Sequence, residues 1–240
     1  MANFNTHITV AAVASGLLST LCFQVGFIGS SDALLLTLIG TIGGILPDVD
    51  LQHSYPSRII FSLLGIIVAF LWMFSTKNQW SILELWIIGG AIYVLIRYPV
   101  WMVFHKYNKH RGAIHSLIAA ISFALFATTI SFTVFSKTEF ISWLVGFLIF
   151  YGFIIHLLLD ELYSVDFMNR RIKRSFGTAM KIIDTRQPGI SGIIIAIGAI
   201  SFWFSPSATT FFDTISSHET YQIIWHRMLP AELAKLIYEQ

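Results

Sequence analysis

Residues 140–160 read FISWLVGFLIFYGFIIHLLLD. No lysine, arginine or acidic side chain interrupts this run before Asp160. A helix rises about 1.5 Å per residue, so about 20 apolar residues carry it across the hydrocarbon layer of a bilayer. In lipid the backbone must satisfy its own hydrogen bonds, and a helix does so within one segment. The stretch therefore predicts a transmembrane helix, and with it an all-α integral membrane fold. It ends on two polar residues, His156 and Asp160, four positions apart and hence on one face.

Working outward, six more apolar runs are found: Ile8–Ile28, Ala33–Leu46, Ile59–Phe74, Ile82–Phe104, Ala113–Phe135 and Gly189–Phe204. Together they predict a polytopic helical bundle with about six to seven spanning or half-inserted helices. The bulk composition agrees. Of 240 residues, 55% are hydrophobic and 12% charged, and the mean hydropathy is +0.72. Soluble domains carry about twice that share of charge. The run Ala33–Leu46 is short and is expected to be tilted, half-inserted or extended through Pro47. Its Gly40, Gly43 and Gly44 suit close packing on a neighbouring helix. The run Ile82–Phe104 carries Glu84, Arg97 and Pro99, so its last turns are expected to leave the apolar layer. Residues 1–206 are read as the bundle and 207–240 as an amphipathic tail, with short helices at Thr220–Leu229 and Ala231–Tyr238. No cleavable signal is predicted. The single cysteine, Cys22, excludes a disulfide framework within one chain. A net charge of +2 gives no reason to expect nucleic acid as a partner.

Threading the chain through successive spans brings four polar patches to one membrane face. They are His7, the pair Asp48 and Asp50, the segment His110–Ser116, and His156 with Asp160. Burying imidazole or carboxylate in so apolar a chain is costly, and ionisable groups in membrane segments mark function. Charge bias sets the orientation. Arg58, Arg97, Lys106, Lys109, Arg111 and six more between Arg170 and Arg186 lie on the same face, eleven of the fifteen Lys and Arg. That face is expected to be cytoplasmic in a bacterial inner membrane. The segment Arg170–Arg174 is either a topology determinant or a contact for anionic lipid headgroups.

Residue chemistry points to a divalent metal. An i, i+4 pair such as His156 and Asp160 can share an ion; alternatively the two hydrogen-bond each other. Glu161, about 100° round the helix, is a candidate general base. Pro47 disfavours helical geometry at Leu46, so Asp48 and Asp50 are expected on an extended turn, where they ligate metal or orient a ligand histidine. His115 is expected in the first turn of its span, where N–H groups and the dipole favour anions. Beside it, Arg111 offers a fork for phosphate and Gly112 allows close approach of a substrate. His110 joins the candidate metal ligands, with His7, Asp48, His115, His156 and Asp160. Ser116 is read as a helix cap or, alternatively, a substrate contact. His53 and His105 lie near the face without a clear partner. No Gly-x-Ser-x-Gly elbow and no phosphate-binding glycine loop occurs.

These patches resemble the YdjM-like family of bacterial inner-membrane proteins, described as LexA-regulated, membrane-bound, metal-dependent hydrolases. The resemblance is carried by Thr6-His7, by residues 44–50 (GILPDVD), by His110-Arg111-Gly112 with His115-Ser116, and by Gly152 with His156 and Asp160. It covers about two-thirds of the chain. The family is distantly grouped with zinc-dependent phospholipases C and single-strand nucleases. The resemblance implies a zinc-type cluster of His7, Asp48, His115, His156 and Asp160.

The expected function is hydrolysis of a phosphoester in a lipid or lipid-like substrate at the cytoplasmic leaflet. Zn²⁺ is the first choice by ligand type, with Mn²⁺ or Mg²⁺ as alternatives. The ion would supply an attacking hydroxide at neutral pH. Arg111 and the helix N-terminus would stabilise negative charge, and Asp50 or Glu161 would relay a proton. Two other classes fit less well. An ion- or proton-coupled transporter would hold such groups near midspan, and a non-catalytic membrane protein would use the metal only as a brace.

Overall fold

The structure is a computed structural model. It describes residues 3–50, 55–76, 81–107, 112–166, 171–172 and 180–228, without the side chains of residues 50, 55, 56, 107, 165, 166, 171, 172, 226 and 228. His53, His110, Arg111, the cluster at Arg170 and 173–174, and the expected helix at 231–238 therefore lie outside the described residues.

The chain is an all-helical membrane bundle. Among the described residues, five helical stretches are long and apolar enough to cross a bilayer: Phe4–Gln24, Ser30–Val49, Ser57–Ser75, Ile82–Lys106 and Glu139–Leu162. A sixth candidate is a bent pair, Pro188–Phe204 with Thr209–Ser216, which meet at 86°. The apolar helix Leu117–Thr133 is shorter, at 17 residues. In chain order the helices are α1 Phe4–Gln24, α2 Ser30–Ile45, α3 Tyr55–Ser75, α4 Ile82–Leu95, α5 Trp101–Tyr107, α6 Leu117–Thr133, α7 Glu139–Leu162, α8 Pro188–Phe204, α9 Thr209–Ser216 and α10 His218–Met228. One minimal antiparallel ladder, Val165 with Ile172 and Asp166 with Arg171, follows α7.

The bundle is apolar outside, and its interior mixes small and hydroxylic residues with large apolar ones such as Leu148 and Phe153. Leu34, Phe74, Trp86 and Trp203 are exposed, whereas Ala11, Ser15, Ser19, Ser122 and Thr128 are buried. Lipid solvates the large apolar side chains, and small residues let helix backbones approach one another. Helix α7 lies at the centre, packed against α1, α2 and α6, while α8 covers α6. The α2–α7 contact is closest. A Cβ on Gly152 would collide with the Gly40 carbonyl, and one on Gly43 would meet the Ile149 carbonyl. The expected role of the α2 glycines is thus seen, with α7 as the partner of Gly43 and with Ser15 and Ala11 of α1 against Gly40 and Gly44.

Two local expectations are corrected. Leu46 stays helical, at φ −54° and ψ −40°, and the chain continues as a 3-10 turn over Leu46–Asp50. Proline biases its predecessor without forbidding a helix, so Asp48 and Asp50 sit on a tight turn that extends α2 rather than on extended chain. The fourth span continues past Pro99 as one apolar stretch, Ile82–Lys106. It passes through a π-helical turn, Ile96–Val100, into α5, a geometry that accommodates the missing N–H of proline. Glu84, unexpected in an apolar helix, closes a capping box with Ser81. Finally, the fifth span begins at Leu117 instead of Ala113, because residues 112–116 form a turn capped by Ser116.

Candidate metal centre

Four chain segments meet at one end of the bundle. His7 comes from the first turns of α1, and Asp48 from the turn that ends α2. His115 comes from the turn before α6, and His156 and Asp160 from the last turns of α7. All five side chains are buried: His115, His156 and Asp160 are 0% exposed, His7 2% and Asp48 6%. The imidazole rings of His7 and His156 stack with centroids 3.7 Å apart, and His115 meets His156 edge-on at 5.6 Å.

The α2–α7 approach fixes the tautomer of His156. Its Nδ1 lies 2.7 Å from the Gly44 carbonyl oxygen. A carbonyl only accepts, so Nδ1 carries the hydrogen, and a neutral ring presents a bare lone pair at Nε2. Nε2 is buried without a hydrogen-bond partner among the described residues. The nearest carboxylate oxygen, Asp48 Oδ1, is 3.7 Å away. A buried lone pair that faces a carboxylate is stabilised by a cation between them, and a second-shell carbonyl of this kind orients metal-bound histidines.

The other separations agree with that reading. His7 Nε2 lies 3.3 Å from Asp160 Oδ1, and His115 Nε2 lies 4.0 Å from Asp160 Oδ2. These distances mostly exceed hydrogen-bond length. They bracket the spacing of about 3.4 Å between neighbouring ligands held about 2.1 Å from a tetrahedral ion. Two overlapping triads result, His7–His156–Asp160 and Asp48–His115–His156, and either could hold a metal ion. An imidazole nitrogen offers one lone pair, so His156 can serve only one ion at a time. Asp160 directs its two oxygens to different histidines. His156 and Asp160 share the cluster without the mutual hydrogen bond that was the alternative reading of their spacing.

Not every candidate joins the cluster. Glu161 is partly buried on the adjoining helix face. Asp50 ends the 3-10 turn, but its side chain is outside the described residues, as are His110 and Arg111. The α6 N-terminus is corrected as an anion site. His115 precedes the helix, and the first-turn N–H groups are already used. Leu117 N donates to the Lys181 carbonyl at 3.0 Å, Ile118 N to the Ile182 carbonyl at 3.1 Å and Ala120 N to the Ser116 carbonyl at 3.1 Å. Ala119 N donates to Ser116 Oγ at 3.2 Å. Of its two readings, Ser116 is thus seen in the structural one, as the helix cap.

His105 also has a partner the sequence did not reveal. Its Nε2 lies 2.7 Å from Ser57 Oγ, which accepts from Trp101 Nε1 at 2.8 Å. This pairing braces α5 on α3. A second unforeseen element is the segment 180–187, pinned by Asp184. Asp184 Oδ2 accepts from Lys181 Nζ at 2.7 Å, Oδ1 accepts from Arg186 N at 2.9 Å, and its carbonyl accepts from Ser191 Oγ at 2.8 Å. Burial alone would raise the Asp184 carboxyl, but these donors and the Lys181 and Arg186 charges hold it below the usual carboxylate range.

The profile described as YdjM inner membrane protein matches residues 1–169, which include all four segments of the centre. This chain belongs to the YdjM inner membrane protein family. No curated protein and no solved structure matches the chain. In this YdjM-family protein the conjunction of family, membrane bundle and buried His/Asp groups defines a membrane protein whose interior could hold a metal ion. The Asp184 segment lies beyond the matched residues.

Proposed function

We propose that this YdjM-family protein is a metal-dependent hydrolase that cleaves a phosphoester of a lipid or lipid-like substrate at the cytoplasmic face of the inner membrane. The observation that carries the proposal is the meeting of five buried ligand-type side chains from four distant segments. Their donor set, imidazole nitrogen and carboxylate oxygen, suits Zn²⁺, and Mn²⁺ is the alternative. A bound ion supplies Lewis acidity that activates water at neutral pH.

The chain's own residues have the remaining roles. Either His7, His156 and Asp160 or Asp48, His115 and His156 would hold the ion, with the remaining side chains beside it, and the Gly44 carbonyl orients His156. Glu161, one residue beyond Asp160, accepts a proton from water, with Asp50 as the alternative base. With the α6 N-terminus occupied by backbone carbonyls, Arg111 is left as the protein's donor to a phosphate oxygen. The Lys and Arg bias towards this face supports the cytoplasmic orientation. The position of the cluster at helix ends speaks against a carrier, whose ion sites lie near midspan.

One observation favours a second reading. The five side chains are nearly inaccessible, and closed sites are typical of structural zinc. Purified protein in detergent separates the two. Hydrolysis requires metal-dependent turnover of phosphodiester or phospholipid substrates that disappears in His156→Ala and Asp48→Ala. Stoichiometric metal with no turnover across a broad substrate panel leaves the ion as a brace.

A further inference from the structure

We infer that Asp184 is a positioning residue for His115, acting through the backbone segment it anchors. This inference rests on the metal reading above. His115 is 0% exposed, yet it belongs to no helix. It sits in the turn at residues 112–116, which needs an external support to hold an imidazole in place.

The support comes from residues 181–187. Gln187 Oε1 accepts from Ala113 N at 3.3 Å, at the start of that turn. The carbonyls of Lys181 and Ile182 accept from Leu117 N and Ile118 N, immediately after it. The turn is therefore gripped on both sides of His115 by one strap. The strap has no regular structure of its own and is organised around a single side chain. Asp184, 5% exposed, holds its two ends, Lys181 through Nζ and Arg186 through the backbone N–H, and its carbonyl ties it to Ser191 on α8. A ligand on a loop reaches its productive geometry only when neighbouring hydrogen bonds lock it. Asp184 touches neither substrate nor ion. Its effect passes through the strap to the α6 N-terminus and the His115 turn.

The test uses the full-length protein in detergent and Co²⁺ as the probe ion, with affinity from titration of the visible absorption and amide exchange of the α6 first turn measured in parallel. Asp184→Ala is expected to speed exchange at Leu117 and Ile118 and to weaken Co²⁺ binding by about 10- to 100-fold, the range for loss of a supporting hydrogen-bond shell. Asp184→Asn, which keeps an acceptor for Arg186 N, should fall between Asp184→Ala and the unaltered protein. Trp143→Phe is the control. It removes hydrogen bonds to the Pro206 and Ser207 carbonyls at the other end of α7 and should lower stability with Co²⁺ affinity unchanged. Normal affinity in Asp184→Ala despite faster exchange overturns the inference and leaves the metal reading intact. Equal weakening by Trp143→Phe also overturns it, because the effect would be global destabilisation. Failure of the unaltered protein to bind Co²⁺ or Zn²⁺ removes the metal reading, and the inference with it.

Discussion

The chemistry of the centre turns on one ring nitrogen. Because the Gly44 carbonyl takes the Nδ1 hydrogen of His156, Nε2 has no proton to offer Asp48, and an ion is the natural occupant of the space between them. Replacing His156 with Ala is expected to reduce ion affinity by more than about 100-fold, beyond the loss caused by a supporting residue, as measured by metal titration. His105→Ala should behave oppositely. It takes a partner from the buried Ser57 hydroxyl, which should cost about 1–3 kcal/mol of stability in a denaturation experiment, with ion affinity retained. The sequence distinguished these histidines only in part. His7, His115 and His156 stand out because each lies at an end of an apolar run that threading returns to the face of Asp48 and Asp160. The role of His105 was not legible, since its partner lies 48 positions away in the chain and no periodicity links them.

At the scale of elements, the centre depends on how closely α2 approaches α7. Gly152→Ala places a methyl group against the Gly40 carbonyl. It should destabilise the bundle by about 1–3 kcal/mol as overpacking does, and lower ion affinity by displacing Gly44 from His156. Gly90→Ala in α4 meets nothing within 4 Å and should be neutral or stabilising by up to about 1 kcal/mol through helix propensity. Unfolding titrations in detergent compare the two. The strap adds a pH dependence. The Asp184 carboxyl is held below its ordinary value, so its stabilisation is present above the ordinary carboxylate range and lost as pH falls through the lowered value. The unfolding midpoint of metal-free protein should therefore drop in acid, and Asp184→Asn should flatten that slope. The glycine face of α2 was readable because small residues at helical spacing have few other uses in a membrane. The true start of α6 was not. It is set by backbone carbonyls at 181 and 182, and backbone bonding leaves little trace in side-chain identity.

For the whole molecule, seven apolar runs were enough to reveal a helical membrane bundle, because hydrocarbon admits few other solutions. Counting the spans also anticipated that four distant patches would gather at one end, since antiparallel threading returns alternate helix ends to the same side. The sequence could not show how tightly they gather, because separations of 3.3–4.0 Å between donor atoms arise from packing among α1, α2, α6 and α7 together. Metal analysis combined with X-ray absorption on purified full-length protein probes that cluster most directly. A divalent ion near or above stoichiometry should be found, with a shell of nitrogen and oxygen at about 2.0–2.2 Å and no sulfur, and it should be lost in His156→Ala and in Asp160→Asn. Protein that binds no ion, or that holds the same ion in the same shell after both substitutions, would contradict a metal centre at these residues.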